Sequence, residues 1–163
     1  MAMQSIDTHE LITPSPRMFS ALDGFAIRYG DAFALLGRVL LAWVFLASAW
    51  GAIGNMAGFA GYLTSLKVPN PMFWAWIAIL AEIIFGLAVL FGVAGRYAAA
   101  VGLIYVIVAT ALAHRYWEYP AAQQGNQYSH FLKNAAIIGG FLLLLVTGPG
   151  RFSVDGWLRR SGR

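Results

Sequence analysis

Residues 72–92 read MFWAWIAILAEIIFGLAVLFG, an apolar run with one acid, Glu82, at its middle. About 20 apolar residues are what a helix needs to cross a hydrocarbon core about 30 Å thick. An ionisable group at the centre of such a span costs about 3 kcal/mol or more, so its surroundings must compensate. Positions four and seven away from Glu82 are Ala75, Ala78, Gly86 and Val89, a face of mostly small side chains. The opposite face carries Ile77, Leu80, Ile84, Leu87 and Phe91, bulky groups suited to lipid. Small residues let neighbouring helices approach closely, so this pattern turns Glu82 into a helix bundle. Two roles for the acid stay open: a hydrogen-bonded structural carboxyl, or a site for a proton or ligand.

Outward from this span, the 163 residues are 60% hydrophobic and 11% charged, with a mean hydropathy of +0.66. An ordinary soluble domain carries about 25% charged residues. The chain is therefore read as an all-α integral membrane protein with three to five spans and no room for a soluble catalytic domain. It has no cysteine, so it can form no disulfide, thiolate-held cluster or thiol relay of its own. The net charge of +4 fits the excess of Lys and Arg in cytoplasmic loops. No feature points to nucleic acid, and no glycine-rich phosphate loop lies between a strand and a helix.

Four spans are expected, forming a four-transmembrane-helix bundle over residues 35–148. Residues 1–34 precede it: a polar start with Pro14 and Pro16, then an amphipathic stretch in which Met18, Phe19, Leu22, Phe25, Ala26, Tyr29 and Phe33 recur at helical spacing. That stretch predicts a helix lying in the membrane interface, with packing against a partner protein as the alternative. The first span is about Leu35–Gly54, with Arg38 one turn in and able to snorkel to the interface. Gly51, Gly54, Gly58 and Gly61 would form a ridge if the helix continued, and the prolines of 66–71, LKVPNP, then break it. The second span is Met72–Gly92, anchored by Trp74 and Trp76. The short connection Val93–Arg96 makes the third span, about Tyr97–His114, antiparallel to it. Arg115–Ser129 are read as the longest loop, and His130–Thr147 as the fourth span, ended by Gly148-Pro149-Gly150. Residues 149–163 form a basic tail with interleaved aromatics.

Cation counting sets an orientation. Arg17, Arg28, Arg38, Arg96, Arg151, Arg159, Arg160 and Arg163 share one side, against Lys67, Arg115 and Lys133 on the other. That asymmetry predicts both termini in the cytoplasm, N-in and C-in. At about 1.5 Å per residue, Glu82 lies roughly 15 Å deep and Tyr105 at a similar level, so the phenol is a credible partner for the acid. Lys133 and Arg38 are each separated from Glu82 by roughly 10 Å of depth. Glu82, Tyr105, Lys133, Asn134, His114 and Arg38 make up the candidate polar pocket. His114 and His130, with Glu118, could converge on a metal, but the loop has no compact ligand spacing and no metal is expected. No span places a histidine at mid-depth for haem.

The ordered set Gly58-Phe59-Ala60-Gly61-Tyr62-Leu63, Val68-Pro69-Asn70-Pro71, Ala81-Glu82, Gly95-Arg96, His114 with Trp117, Phe131-Leu132-Lys133-Asn134, and Gly148-Pro149-Gly150 with Ser153 and Asp155 resembles the DoxX family of small four-helix bacterial membrane proteins. The likeness runs from about Gly37 to Asp155. Many members resembling this pattern carry a lysine late in the first span, where this chain reads Ser48-Ala49-Trp50-Gly51-Ala52. The resemblance implies a multi-pass protein of the bacterial inner (plasma) membrane. Relatives include a membrane subunit of a thiosulfate:quinone oxidoreductase, and others are implicated in oxidoreductase assemblies that handle thiol or oxidative stress. The expectation is a non-catalytic or quinone-linked subunit or anchor of such an assembly, contacting lipids and other membrane proteins. It would have no intrinsic cofactor, and quinone is the one external candidate because a quinone head needs hydrogen-bond donors in an apolar slot. A purely scaffolding subunit and, more remotely, a small transporter are the alternatives.

Overall fold

A computed structural model of the chain describes residues 20–162; the polar start, the Arg17–Phe19 end of the amphipathic stretch, and Arg163 lie outside the described residues. The described residues form helices α1 (Ser20–Gly54), α2 (Met56–Ser65), α3 (Pro71–Phe91), α4 (Gly95–Ala113), α5 (Ala121–Thr147) and α6 (Val154–Ser161), with one 3₁₀ turn at Tyr116–Glu118 and no strand. Four of these, α1, α3, α4 and α5, are long and apolar enough to cross a membrane. The chain divides at Gly30–Asp31 into two compact units. Within Ser20–Gly30, the Phe25 and Tyr29 rings meet one turn apart at a tilt, with centroids 4.8 Å apart, and the Arg28 guanidinium lies 5.6 Å from the Tyr29 ring.

Two boundaries differ from the sequence reading. The amphipathic stretch and the first span are one uninterrupted helix, because nothing between Asp31 and Arg38 removes a backbone donor: there is no proline, and glycines 30 and 37 only lower helix propensity. Likewise residues 121–129 are not loop but the opening turns of α5. Pro120 occupies its N-cap, and the following Ala-Ala-Gln-Gln are good helix formers whose polarity alone suggested a loop. By contrast, the glycine ridge does not form. Helix α1 stops at Gly54, and the Asn55 side chain accepts the Gly58 N–H to start α2 afresh.

Each long helix of the bundle buries a narrow stripe. On α1 it is Arg38, Ala42, Phe45 and Ala49, and on α4 Gly95, Ala98, Ala99, Gly102 and Val106. These three- and four-residue steps are the periodicity of a helix seam facing its neighbours. The lipid-suited face of α3 (Ile77, Leu80, Ile84, Leu87 and Phe91) is exposed as expected, while Ala75, Gly86 and Val89 are buried. Helix α4 packs against both α3 and α5. The core is aromatic: Phe45 meets Phe85 at 4.7 Å and Phe141 at 5.6 Å between ring centroids. Glycines admit these rings. A Cβ at Gly102 would stand 2.5 Å from Phe141, and Cβ atoms at Gly86 and Gly140 would press on Leu46 and Leu41 of α1 at 3.1 Å.

One end of the bundle is closed by the segment after α5. Pro149 is fully buried against Gly95, where an added Cβ would stand 2.7 Å from its ring. The Asp155 carboxylate accepts the Ala94 and Gly95 N–H groups at 2.8 Å each, so α6 caps α4. Ser153 caps α6 itself by accepting the Gly156 N–H. Arg38 is 1% exposed and does not snorkel. Its guanidinium donates to Leu90 O at 2.8 Å and Val89 O at 3.4 Å, the last carbonyls of α3, and to Phe152 O. A cation at a helix C-terminus also meets the negative end of the helix dipole. Arg38 Nε is the one buried side-chain polar atom without a partner among the described residues.

Candidate functional site

Helices α3 and α4 bring Glu82 and Tyr105 together. The Tyr105 hydroxyl donates to Glu82 Oε1 at 2.7 Å. The Ser48 hydroxyl of α1 also lies near this carboxyl. The pair is half-buried. It stands beside the aromatic core, with Tyr105 5.3 Å from Phe85 and 6.3 Å from Phe45. On the small-residue face of α3, Gly86 admits α1, where an added Cβ would stand 3.1 Å from Leu46, while the phenol reaches the acid from α4.

The other candidates sit elsewhere. Thr110 and His114 lie about 7 Å and 13 Å along α4 from Tyr105. At the first of these levels, the Asn134 amide donates to Thr110 Oγ1 at 2.9 Å. At the second, His114 Nδ1 and the Gln127 side-chain amide are joined by a 2.8 Å hydrogen bond. The His114 and His130 rings stack at 5.0 Å, and Lys133 Nζ donates to His130 Nδ1 at 3.0 Å. Thus Lys133, Asn134 and His114 form polar levels above the Glu82–Tyr105 pair rather than lining it. Arg38 belongs to the opposite, clamped end of the bundle. Glu118 is held by Arg115 at 3.1 Å, and the described residues contain no group of three metal-ligating side chains.

Three participants escaped the sequence reading. Ser48 was visible only as part of a small-residue stretch. Thr110 and Gln127 become partners because the helical start at Ala121 sets the register of α5 against α4. Near the same end, Tyr62 and Tyr119 both donate to Ala113 O, at 3.3 and 2.9 Å, tying α2 to the end of α4. Tyr116 packs edge-on against Trp117, Tyr128 and Phe131.

The DoxX family model matches residues 33–115. Inner membrane protein YqjF of Escherichia coli (strain K12) is 35% identical over 131 residues, covering 80% of this chain and 95% of that protein. Inner membrane protein YphA of the same organism is 31% identical over 121 residues, 74% of this chain and 86% of the relative. A Surfeit locus protein 4 homolog of Schizosaccharomyces pombe is 30% identical over 128 residues, 76% of this chain but 36% of that longer protein. No solved structure matches. With four helices able to span, a profile match over half the chain and two inner-membrane relatives aligned nearly end to end, the chain belongs to the DoxX family of multi-pass inner-membrane proteins.

Proposed function

We propose that the protein is an accessory subunit of an inner-membrane oxidoreductase assembly, oriented N-in and C-in, which offers a quinone head group the Glu82–Tyr105 pair. The observation that carries this reading is the 2.7 Å hydrogen bond between a carboxyl and a phenol at mid-span, half-buried beside aromatic rings. With the Tyr105 O–H donated to Glu82, the donor that a carbonyl oxygen in an apolar slot requires is the O–H of the neutral carboxyl, which the phenol holds in place. In hydrocarbon such a polar pair is costly unless partnered, which makes an intramembrane acid a functional site by default. The chain has no cysteine to supply thiol chemistry, so in this reading electrons come from a partner and this subunit anchors and positions.

The test is purification from native membranes in mild detergent, with mass spectrometry of co-purifying proteins and quinones, for wild type, Glu82→Gln and Tyr105→Phe. A redox partner and retained quinone in the wild type, with quinone lost but the partner kept in both variants, supports the reading. A clean particle lacking both overturns it. Loss of the partner in Glu82→Gln with no quinone in the wild type assigns the acid to scaffolding instead.

A further inference from the structure

We infer that the clamped end of the bundle is a binding site for an anionic phospholipid, with its acyl chain in a groove between α1, α3 and α6. The groove, of about 460 Å³, is lined by Leu35, Leu90, Phe91, Phe152, Val154 and Trp157, with Ser153 as its polar member. That volume lies in the range of built small-molecule sites. The lining offers no free polar group for a water-soluble ligand: Ser153 Oγ donates to Gly150 O and accepts the Gly156 N–H. Phe91, Phe152 and Trp157 are each more than half exposed at its rim. An apolar slot inside a membrane fits a hydrocarbon chain.

Charge selects the head group. On α6, Arg160 lies one turn beyond the groove-lining Trp157 and on the same face. Its guanidinium donates to Arg151 O at 3.3 Å, which holds it against the segment that forms the groove wall. Arg159 and Arg151 are exposed beside it. Two acids stand near this cluster, each held by backbone N–H groups, and neither forms an ion pair with Arg151, Arg159 or Arg160 among the described residues, so the three cations outnumber them. Asp155 is occupied by the Ala94 and Gly95 N–H groups, and Asp31 Oδ1 accepts the Arg151 N–H at 2.6 Å. An apolar slot beside arginines in net excess over the nearby acids is the complement of a phosphate joined to an acyl chain. The inference is independent of the quinone reading, which concerns a site at mid-span.

The experiment uses the full chain in detergent, titrated with phosphatidylglycerol or phosphatidylcholine and read by native mass spectrometry. Wild type is expected to prefer phosphatidylglycerol, and Arg159→Gln/Arg160→Gln to weaken its binding about thirtyfold while leaving phosphatidylcholine unchanged. Leu35→Trp, which fills the groove, is expected to weaken phosphatidylglycerol binding with helix content by circular dichroism unaltered. A photoreactive acyl chain on phosphatidylglycerol is expected to label Phe91 and Trp157. Equal retention of both lipids by the wild type, an unchanged preference in the double variant, or labelling spread evenly over the lipid-facing helices would each overturn the site.

Discussion

Replacing Asp155 by alanine removes the side chain through which α6 caps α4. Both carboxylate oxygens accept backbone N–H groups at 2.8 Å, one exposed and one partly buried. Hydrogen bonds to charged groups contribute about 1.5–3 kcal/mol each, and loss of a helix cap costs about 1 kcal/mol. Because one of the two bonds faces solvent, about 1 kcal/mol each is the appropriate scale, and Asp155→Ala should cost about 2 kcal/mol. Asp155→Asn keeps one acceptor oxygen but turns an amide against the second N–H, so about 1 kcal/mol or slightly more is expected. Glu118→Ala is the control. It breaks an ion pair whose side chains are 45% and 48% exposed, worth under about 0.5 kcal/mol. The assay is reversible unfolding in mixed micelles with increasing dodecyl sulfate, followed by far-ultraviolet circular dichroism. If Asp155→Ala unfolds within about 0.5 kcal/mol of wild type, or no more easily than Glu118→Ala, the cap is not what holds α6 to α4.

Three further outcomes follow from the packing. Arg38→Met leaves the Val89, Leu90 and Phe152 carbonyls without their shared donor and should cost about 3 kcal/mol or more in the same assay. Arg38→Lys, which keeps the charge but loses the fork, should fall between it and wild type. Gly102→Val, placing a Cβ 2.5 Å from the Phe141 ring, should cost about 1–3 kcal/mol or more, whereas Gly51→Ala, which meets nothing within 4 Å, should be neutral or slightly stabilising; equal effects would contradict this packing. Tyr62, on the short helix α2 outside the four spanning helices, has its hydroxyl pushed up to about 12, chiefly by burial and then by Tyr119. A raised phenol favours the fold below its ordinary value near 10, so that contribution is present below about pH 10 and is lost as pH rises toward 12. The difference in thermal midpoint between wild type and Tyr62→Phe should therefore shrink across that interval; a constant or growing difference would refute the assignment.

How much of this was legible in the sequence depends on which interactions are local. The two faces of α3 were readable because helical periodicity converts directly into burial, and Ile84 and Gly86 lie on the predicted sides. The Glu82–Tyr105 contact was readable because a short connection between two spans fixes their relative depth. The role of Arg38 was not, since its acceptors lie 51 to 114 positions away and depend on where the segment after α5 returns. The same distance explains why Gly95-Arg96, Gly148-Pro149-Gly150, Ser153 and Asp155 looked like separate short motifs. They are pieces of one joint, with Pro149 against Gly95, Arg96 donating to Leu145 O at 3.1 Å, and Asp155 on the start of α4. The start of α5 was missed because polarity was taken for loop, although polar residues extend a helix readily once it leaves hydrocarbon.

That joint also sets an order of events during biogenesis. Pro149, Phe152 and Asp155 are synthesised after all four long helices, yet they supply a buried wedge for α4, an acceptor for Arg38 and the cap on Ala94 and Gly95. A nascent chain can therefore insert its helices while Arg38 and the first turn of α4 are still incompletely partnered. Until residues 149–155 leave the ribosome, those donors must be tended by water, lipid head groups or the insertion machinery.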